Sequence, residues 1–150
     1  MISKDEMTIF NKYAKDIMKN EYINKLKEFS HHGDVTRLEH SMAVAYECFM
    51  LVKTLNLKVD IKSMIRGALL HDFFLYDLKK ERINMHLIKH PNVAFNNADN
   101  EFHLNKIEKD IILKHMWPMT LKIPKYKESF IVCFIDTYCA VKEHMFKQKH

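Results

Sequence analysis

An all-α, single-domain helical bundle is the fold class this sequence predicts, and three observations carry the prediction. Only two glycines, Gly33 and Gly67, and three prolines, Pro91, Pro118 and Pro124, punctuate 150 residues; an antiparallel β protein needs more turn formers. Apolar residues recur at the three- and four-residue spacing of amphipathic helices almost throughout. The length suits one compact domain over residues 1–150, and an apolar fraction of 47% can build a core without disulfides.

The elements follow in order. A first helix is expected from about Asp5 to Phe29, with Ile9, Tyr13, Ile17, Ile23 and Leu26 inward. The segment "SHHGDVTR" breaks the period. A second helix starts near Thr36 and carries His40, Val44, Cys48, Leu51 and Leu55 on one stripe. Asp60 can cap a third, whose Ile61, Ile65, Ala68 and Leu69 lead into His71 and Asp72. After the polar connection "YDLKKERINMHLIKH", a short helix is expected beyond Pro91, including Val93, Ala94 and Ala98. Another spans about Asn105 to Met116, with Ile107, Ile111, Ile112 and His115 inward. "WPMTLKIPKYKE" reads as a proline-interrupted loop. The last helix runs from about Glu128 to Phe146, with Val132, Cys133, Asp136 and Ala140 on its inner face.

Composition narrows the function classes. The formal charge of +5 is spread along the chain without a basic block. That favours anionic ligands weakly and gives no dedicated nucleic-acid surface. No apolar run is long enough for a bilayer, and charges scatter through "MISKDEMTIFNKYAKD", so neither a membrane span nor a signal peptide is expected. Cys48, Cys133 and Cys139 sit among apolar neighbours and read as buried, reduced thiols of a cytoplasmic protein. The oligomeric state is left open.

Ten histidines are the unusual feature. His31, His32 and His150 lie in a pair or near the end, but His40, His115 and Asp136 fall in register with apolar stripes of different helices, and His71-Asp72 closes another. A buried polar group costs free energy unless it is paired or bound to metal. One inward His is more often a hydrogen-bonded core residue, and Asp136 alone could equally pair with a buried Lys or Arg. Several helices each turning His or Asp inward are better explained by a divalent metal, which satisfies many imidazoles at once.

His40 in "RLEHSMAVA", the doublet in "RGALLHDFF" and Asp136 in "VCFIDTYCA" resemble the ligand set of the HD superfamily of metal-dependent phosphohydrolases. The likeness runs from about Asp34 to Glu143, a metal-binding core of about 34–143 in a helical bundle of the HD type. His90 in "IKHPNVAF" and His115 in "ILKHMWP" match the subset with binuclear centres. The resemblance implies that His40, His71 and Asp136 bind one ion, His90 and His115 a second, and that Asp72 bridges them. Two divalent ions about 3.5–4 Å apart can activate a hydroxide and stabilise charge on a transferring phosphoryl group. Imidazole and carboxylate donors suit iron or manganese first, with magnesium, nickel or zinc as further candidates.

The expected substrate is a small phosphorylated molecule, a nucleotide by analogy with small bacterial hydrolases of dinucleoside polyphosphates. Arg37, one turn before His40, is expected near the cleft mouth as a phosphate-binding catalytic residue, or else on the surface against Glu39 or Asp34. His86 is the candidate proton donor beside Asp72, and His32 a weaker one. Lys122, Lys125 and Lys127 are candidate rim residues, Tyr76 and Asp77 candidates for the pocket, and Trp117 for stacking on a base. Departures narrow the branch: "KHMWPMTLKIP" lacks the second His and the glycines of the cyclic-di-GMP phosphodiesterases, and Leu75 stands where they carry Lys. A diiron oxygenase and a non-catalytic ligand-binding module share the pattern and stand as alternatives.

Overall fold

The computed structural model describes residues 2–77, 80 and 82–147; His150 lies outside them. The chain is all-α and forms a single domain. Its helices are α1 Lys4–Lys19, α2 Glu21–Asn24, α3 Arg37–Thr54, α4 Ile61–Leu70, α5 Ile83–Glu101, α6 Lys106–Lys114 and α7 Lys127–Lys147.

The first expected helix is divided. α1 opens with a Ser3–Glu6 capping box and ends at Asn20, whose side chain instead accepts from the Tyr22 and Ile23 amides to cap α2. An Asn side chain offers the backbone this alternative to a continuing helix. A 3₁₀ turn, Lys25–Glu28, completes the segment. Ile17, Ile23 and Leu26 are buried as expected, while Ile9 is 37% exposed.

"SHHGDVTR" folds into a small antiparallel hairpin, β1 Ser30–His32 and β2 Val35–Thr36. Its turn uses Gly33 at φ 60°, a conformation glycine adopts without strain. Thr36 then starts α3 through a capping box with Glu39. Val44, Cys48 and Phe49 enter the core, whereas Leu55, past the last turn of α3, is 58% exposed.

α4 is the central helix: every residue from Ser63 to Leu70 is buried, and it packs on α1, α3, α6 and α7. Asp60 caps it as expected. Gly67 sets the approach of α4 to α6, since a Cβ there would lie 2.5 Å from Ile111 Cδ1. Buried Arg66 bonds Asp16 of α1 and Glu108 of α6, joining three helices. Asp110 of α6 accepts from Ser129 Oγ and the Lys125 amide, fixing the loop before α7.

α5 corrects the expected short helix. It begins eight residues before Pro91 and carries that proline inside it. A proline costs one backbone bond and a steric clash, and here the helix continues through it with Ala94 and Ala98 buried in the core. All three cysteines are free and buried. Among the described residues no helix is long and apolar enough to cross a membrane.

Candidate metal centre

Helix ends and inward faces bring the six expected ligands together. His40 lies in the first turns of α3, His71 is the C-cap of α4 with Asp72 directly after it, and His115 is the C-cap of α6. His90 lies in α5 and Asp136 in α7. His40 and His71 are fully buried, and His115, His90 and Asp72 are at most 5% exposed.

The Asp72 carboxylate sits at the centre with its two oxygens facing different partners. Oδ1 is 3.4 Å from both His90 Nε2 and His115 Nε2. Oδ2 lies 3.4 Å from His71 Nε2 and 3.9 Å from His40 Nε2. Asp136 Oδ1 approaches His40 Nε2 at 2.8 Å and His71 Nε2 at 3.3 Å.

Local hydrogen bonds fix which nitrogen of each ring faces inward. His71 Nδ1 donates to the Ala68 carbonyl at 2.6 Å, His90 Nδ1 to the His86 carbonyl at 2.9 Å and His115 Nδ1 to the Ile112 carbonyl at 2.8 Å. A carbonyl only accepts, so each proton is assigned to Nδ1, and in the neutral ring Nε2 presents a lone pair. The lone pairs of His90 and His115 face Asp72 Oδ1. Burial opposes the His71 cation, but Asp72 and Asp136 raise its pKa well above the usual imidazole value, so in the metal-free cluster its Nε2 carries a proton. His90 Nε2 and His115 Nε2 face each other at 2.8 Å, and His71 Nε2 finds no hydrogen-bond partner among the described residues. A divalent ion would take the place of the His71 proton among facing imidazole nitrogens and carboxylate oxygens, so the donors fit a metal ion. Donor atoms of His40, His71 and Asp136, and of His71, Asp72 and His115, lie within 4.8 Å of one another. These buried groups can hold a metal ion.

Two residues of the cluster are not among the expected ligands. Glu143, two turns beyond Asp136 on α7, accepts from His40 Nδ1 and from His31 Nδ1, each at 2.8 Å. His31, on β1, stacks on His40 with ring centroids 3.6 Å apart, and its Nε2 is 3.7 Å from Asp72 Oδ2. The signal for Glu143 was its seven-residue spacing from Asp136, which keeps both on one helical face. For His31 it was only the doublet with His32.

Charge in the cluster is balanced locally. Burial opposes the Asp72 anion, but His71, His115 and His90 outweigh it and hold its carboxyl well below the usual range. Asp136 is lowered in the same way by His71 and His40. Burial opposes the His40 cation too, yet bonds to Asp136 and Glu143 raise it to about 9. Against its own burial, Glu143 is held down to about 2 by His31 and His40. Burial pushes the His115 imidazolium down, keeping that ring neutral.

The cluster floors a cavity of about 430 Å³. His86 and His32 both line it; His86 stacks on His90 at 4.3 Å, and burial lowers the His32 pKa. Trp117 lines it as well and packs edge-on against Phe130. Arg37 requires correction. It is 1% exposed, neither at the cleft mouth nor on the surface. Its guanidinium lies 3.6 Å from the Phe74 ring centroid and donates to the carbonyls of Phe74 and Tyr76. It thereby clamps the chain that leaves the His71-Asp72 doublet. Tyr76 and Asp77 do not line the cavity. Lys122, Lys125 and Lys127 are exposed and lie off it, Lys127 Nζ donating to the Lys58 carbonyl.

Comparison with protein-family models, with curated proteins and with solved structures finds no match.

Proposed function

We propose that the chain is a metal-dependent phosphohydrolase of the HD type, cleaving a phosphoester or phosphoanhydride of a small molecule. The observation that carries this reading is the Asp72 carboxylate, whose two oxygens face separate sets of inward-pointing imidazole nitrogens. That is the arrangement expected of a bridging ligand between two ions. His40, His71 and Asp136 would hold one and His90 and His115 the other. Bound divalent ions lower the pKa of water and neutralise charge on phosphoryl oxygens.

The chain's own residues supply the rest. Backbone carbonyls of Ala68, His86 and Ile112 lock three imidazoles with Nε2 inward. Glu143 does the same for His40 while orienting His31 over Asp72. His86 lines the cavity wall and would give a proton to a leaving oxygen. Iron and manganese remain the first metals to test.

The test is metal analysis of protein purified without chelator, joined to phosphate release from nucleotides and simple phosphoesters. About two equivalents of metal with phosphate release would support the reading. No metal after reconstitution with iron, manganese, magnesium, nickel or zinc would overturn it. One observation favours the diiron oxygenase as a second reading: among the described residues lining the cavity there is no Lys or Arg to bind phosphate. Oxygen uptake by the ferrous-loaded protein, without phosphate release, would select it.

A further inference from the structure

The cleft continues beyond its His and Asp floor. Met116, Trp117, Pro118 and Met119 form one apolar wall, with Ala140 and Val141 of α7 on another. Trp117, Pro118, Thr137 and Val141 also line a second hollow, of about 670 Å³, on the outer face of α7. Cleft and hollow are therefore one continuous surface.

The hollow is apolar along its length. Phe130, Phe134, Tyr138 and Val141 recur every three or four residues of α7 and form a single stripe. Phe134 is 72% exposed, and Tyr138 and Val141 are about half exposed. The hydroxyl of Thr137 donates to the Cys133 carbonyl, and Cys133 Sγ to the Trp117 carbonyl. Both groups are thus occupied within the chain. Continuous apolar surface of this kind marks a binding site more often than ordinary solvent-facing surface. At the floor, metal ions held by the His and Asp donors would take up one phosphoryl group. With Arg37 folded beneath Phe74, no Lys or Arg among the described residues lines the walls to bind a second or third phosphate.

We propose that the substrate is a free amphiphilic phosphomonoester, with its phosphate on the floor and its aliphatic or aromatic group running past Trp117 into the α7 groove. The proposal rests on the phosphohydrolase reading and names its substrate class. Water adds to phosphorus, the bond from phosphorus to the ester oxygen breaks, and that oxygen leaves as an alcohol after taking a proton; inorganic phosphate is the second product.

Trp117 is the chain's one tryptophan and stands where cleft and groove meet. Its fluorescence can therefore follow binding. The metal-loaded protein is titrated with methyl-, butyl- and octylphosphonate, which are not hydrolysed. Affinity is expected to rise about threefold to fourfold for each methylene that enters the groove. Phe134→Ser should flatten that slope, whereas Leu121→Ser, at a residue 93% exposed and outside both hollows, should keep it. A flat series on protein that does release phosphate from small esters would overturn the groove and leave the hydrolase reading standing. Failure to release phosphate from any ester, with octylphosphonate bound equally by metal-free protein, would remove both. Sedimentation showing a dimer that Phe134→Ser dissociates would assign the stripe to a second copy and overturn the proposal.

Discussion

The two ends of the His and Asp cluster are built by different chemistry. At one end, His90 and His115 face each other across a single Asp72 oxygen, each ring anchored by a carbonyl three or four residues back in its own helix. At the other, His40 is held between the carboxylates of Asp136 and Glu143, and His31 stacks on it. A carbonyl anchor fixes ring orientation at little electrostatic cost. A carboxylate anchor also raises the basicity of the ring, as the opposite pKa displacements of His40 and His115 show. The His40 end thus competes for protons, while His115 presents a ready lone pair.

Asp72 belongs to both ends, so its loss should produce the largest effect. Asp72→Ala is expected to abolish metal retention and turnover together, read by metal analysis and phosphate release with helicity monitored by circular dichroism. A folded variant with full metal content would show that neither end depends on the shared carboxylate.

Glu143→Ala separates the ends. It removes the anchor of His40 and His31 but touches neither His90 nor His115. Metal affinity at the His40 end should fall about 10- to 100-fold, the usual cost of losing such an outer partner. A metal titration should then resolve a weakened site beside an unchanged one. Equal weakening of both would mean that Glu143 supports the whole bundle.

The same contrast explains what could be read in the sequence. His71, His90 and His115 are oriented by carbonyls of their own turns, so helical periodicity alone aims them inward. The capping residues Thr36, Asp60 and Asn105 were likewise local signals for the starts of α3, α4 and α6. Glu143 reaches His40 across 103 residues of chain, and no local pattern announces that contact. Arg37 was misplaced for the same reason: its partners, the carbonyls of Phe74 and Tyr76, lie in a segment with no regular period. The start of α5 was missed because Pro91 reads as a boundary, while burial of Ala94 and Ala98 favours a helix running through it.

pH should separate the two ends. Metal requires the Nε2 lone pair, and His40 holds its proton up to about pH 9. Below that pH, metal uptake at the His40 end must displace the proton, so affinity should fall about tenfold per pH unit from this group alone. The lowered His115 is already neutral near pH 7 and adds no such loss there. Calorimetry in buffers of different ionisation enthalpy should therefore find protons released on metal uptake at the end built from His40 and His71. The sign reverses for the metal-free fold. A raised His40 contributes stability that is fully present below about pH 6.5 and lost as pH rises through about 9. Metal-free protein should accordingly melt lower at pH 9 than at pH 6.5, and a rising melting temperature would refute the anchoring by Asp136 and Glu143.

The smallest expected effect tests what holds the His115 end in register with His71. Both rings cap helices that pack with Gly67 facing Ile111. Alanine at Gly67 gains up to about 1 kcal/mol in helix propensity. Its Cβ would also meet Ile111 Cβ and Cγ2 at 3.0 Å and Cδ1 at 2.5 Å. Overpacking of this kind costs about 1–3 kcal/mol, and Ile111 is β-branched and fully buried, with little room to turn. The clash should therefore win by about 1 kcal/mol, lowering the melting temperature of metal-free protein by about 2–4 °C. Adding Ile111→Val removes the atom in closest conflict and should recover part of that loss. If Gly67→Ala raises the melting temperature, α4 and α6 have room to part, and the spacing of His71 and His115 is set by Asp72 rather than by the helices that carry them.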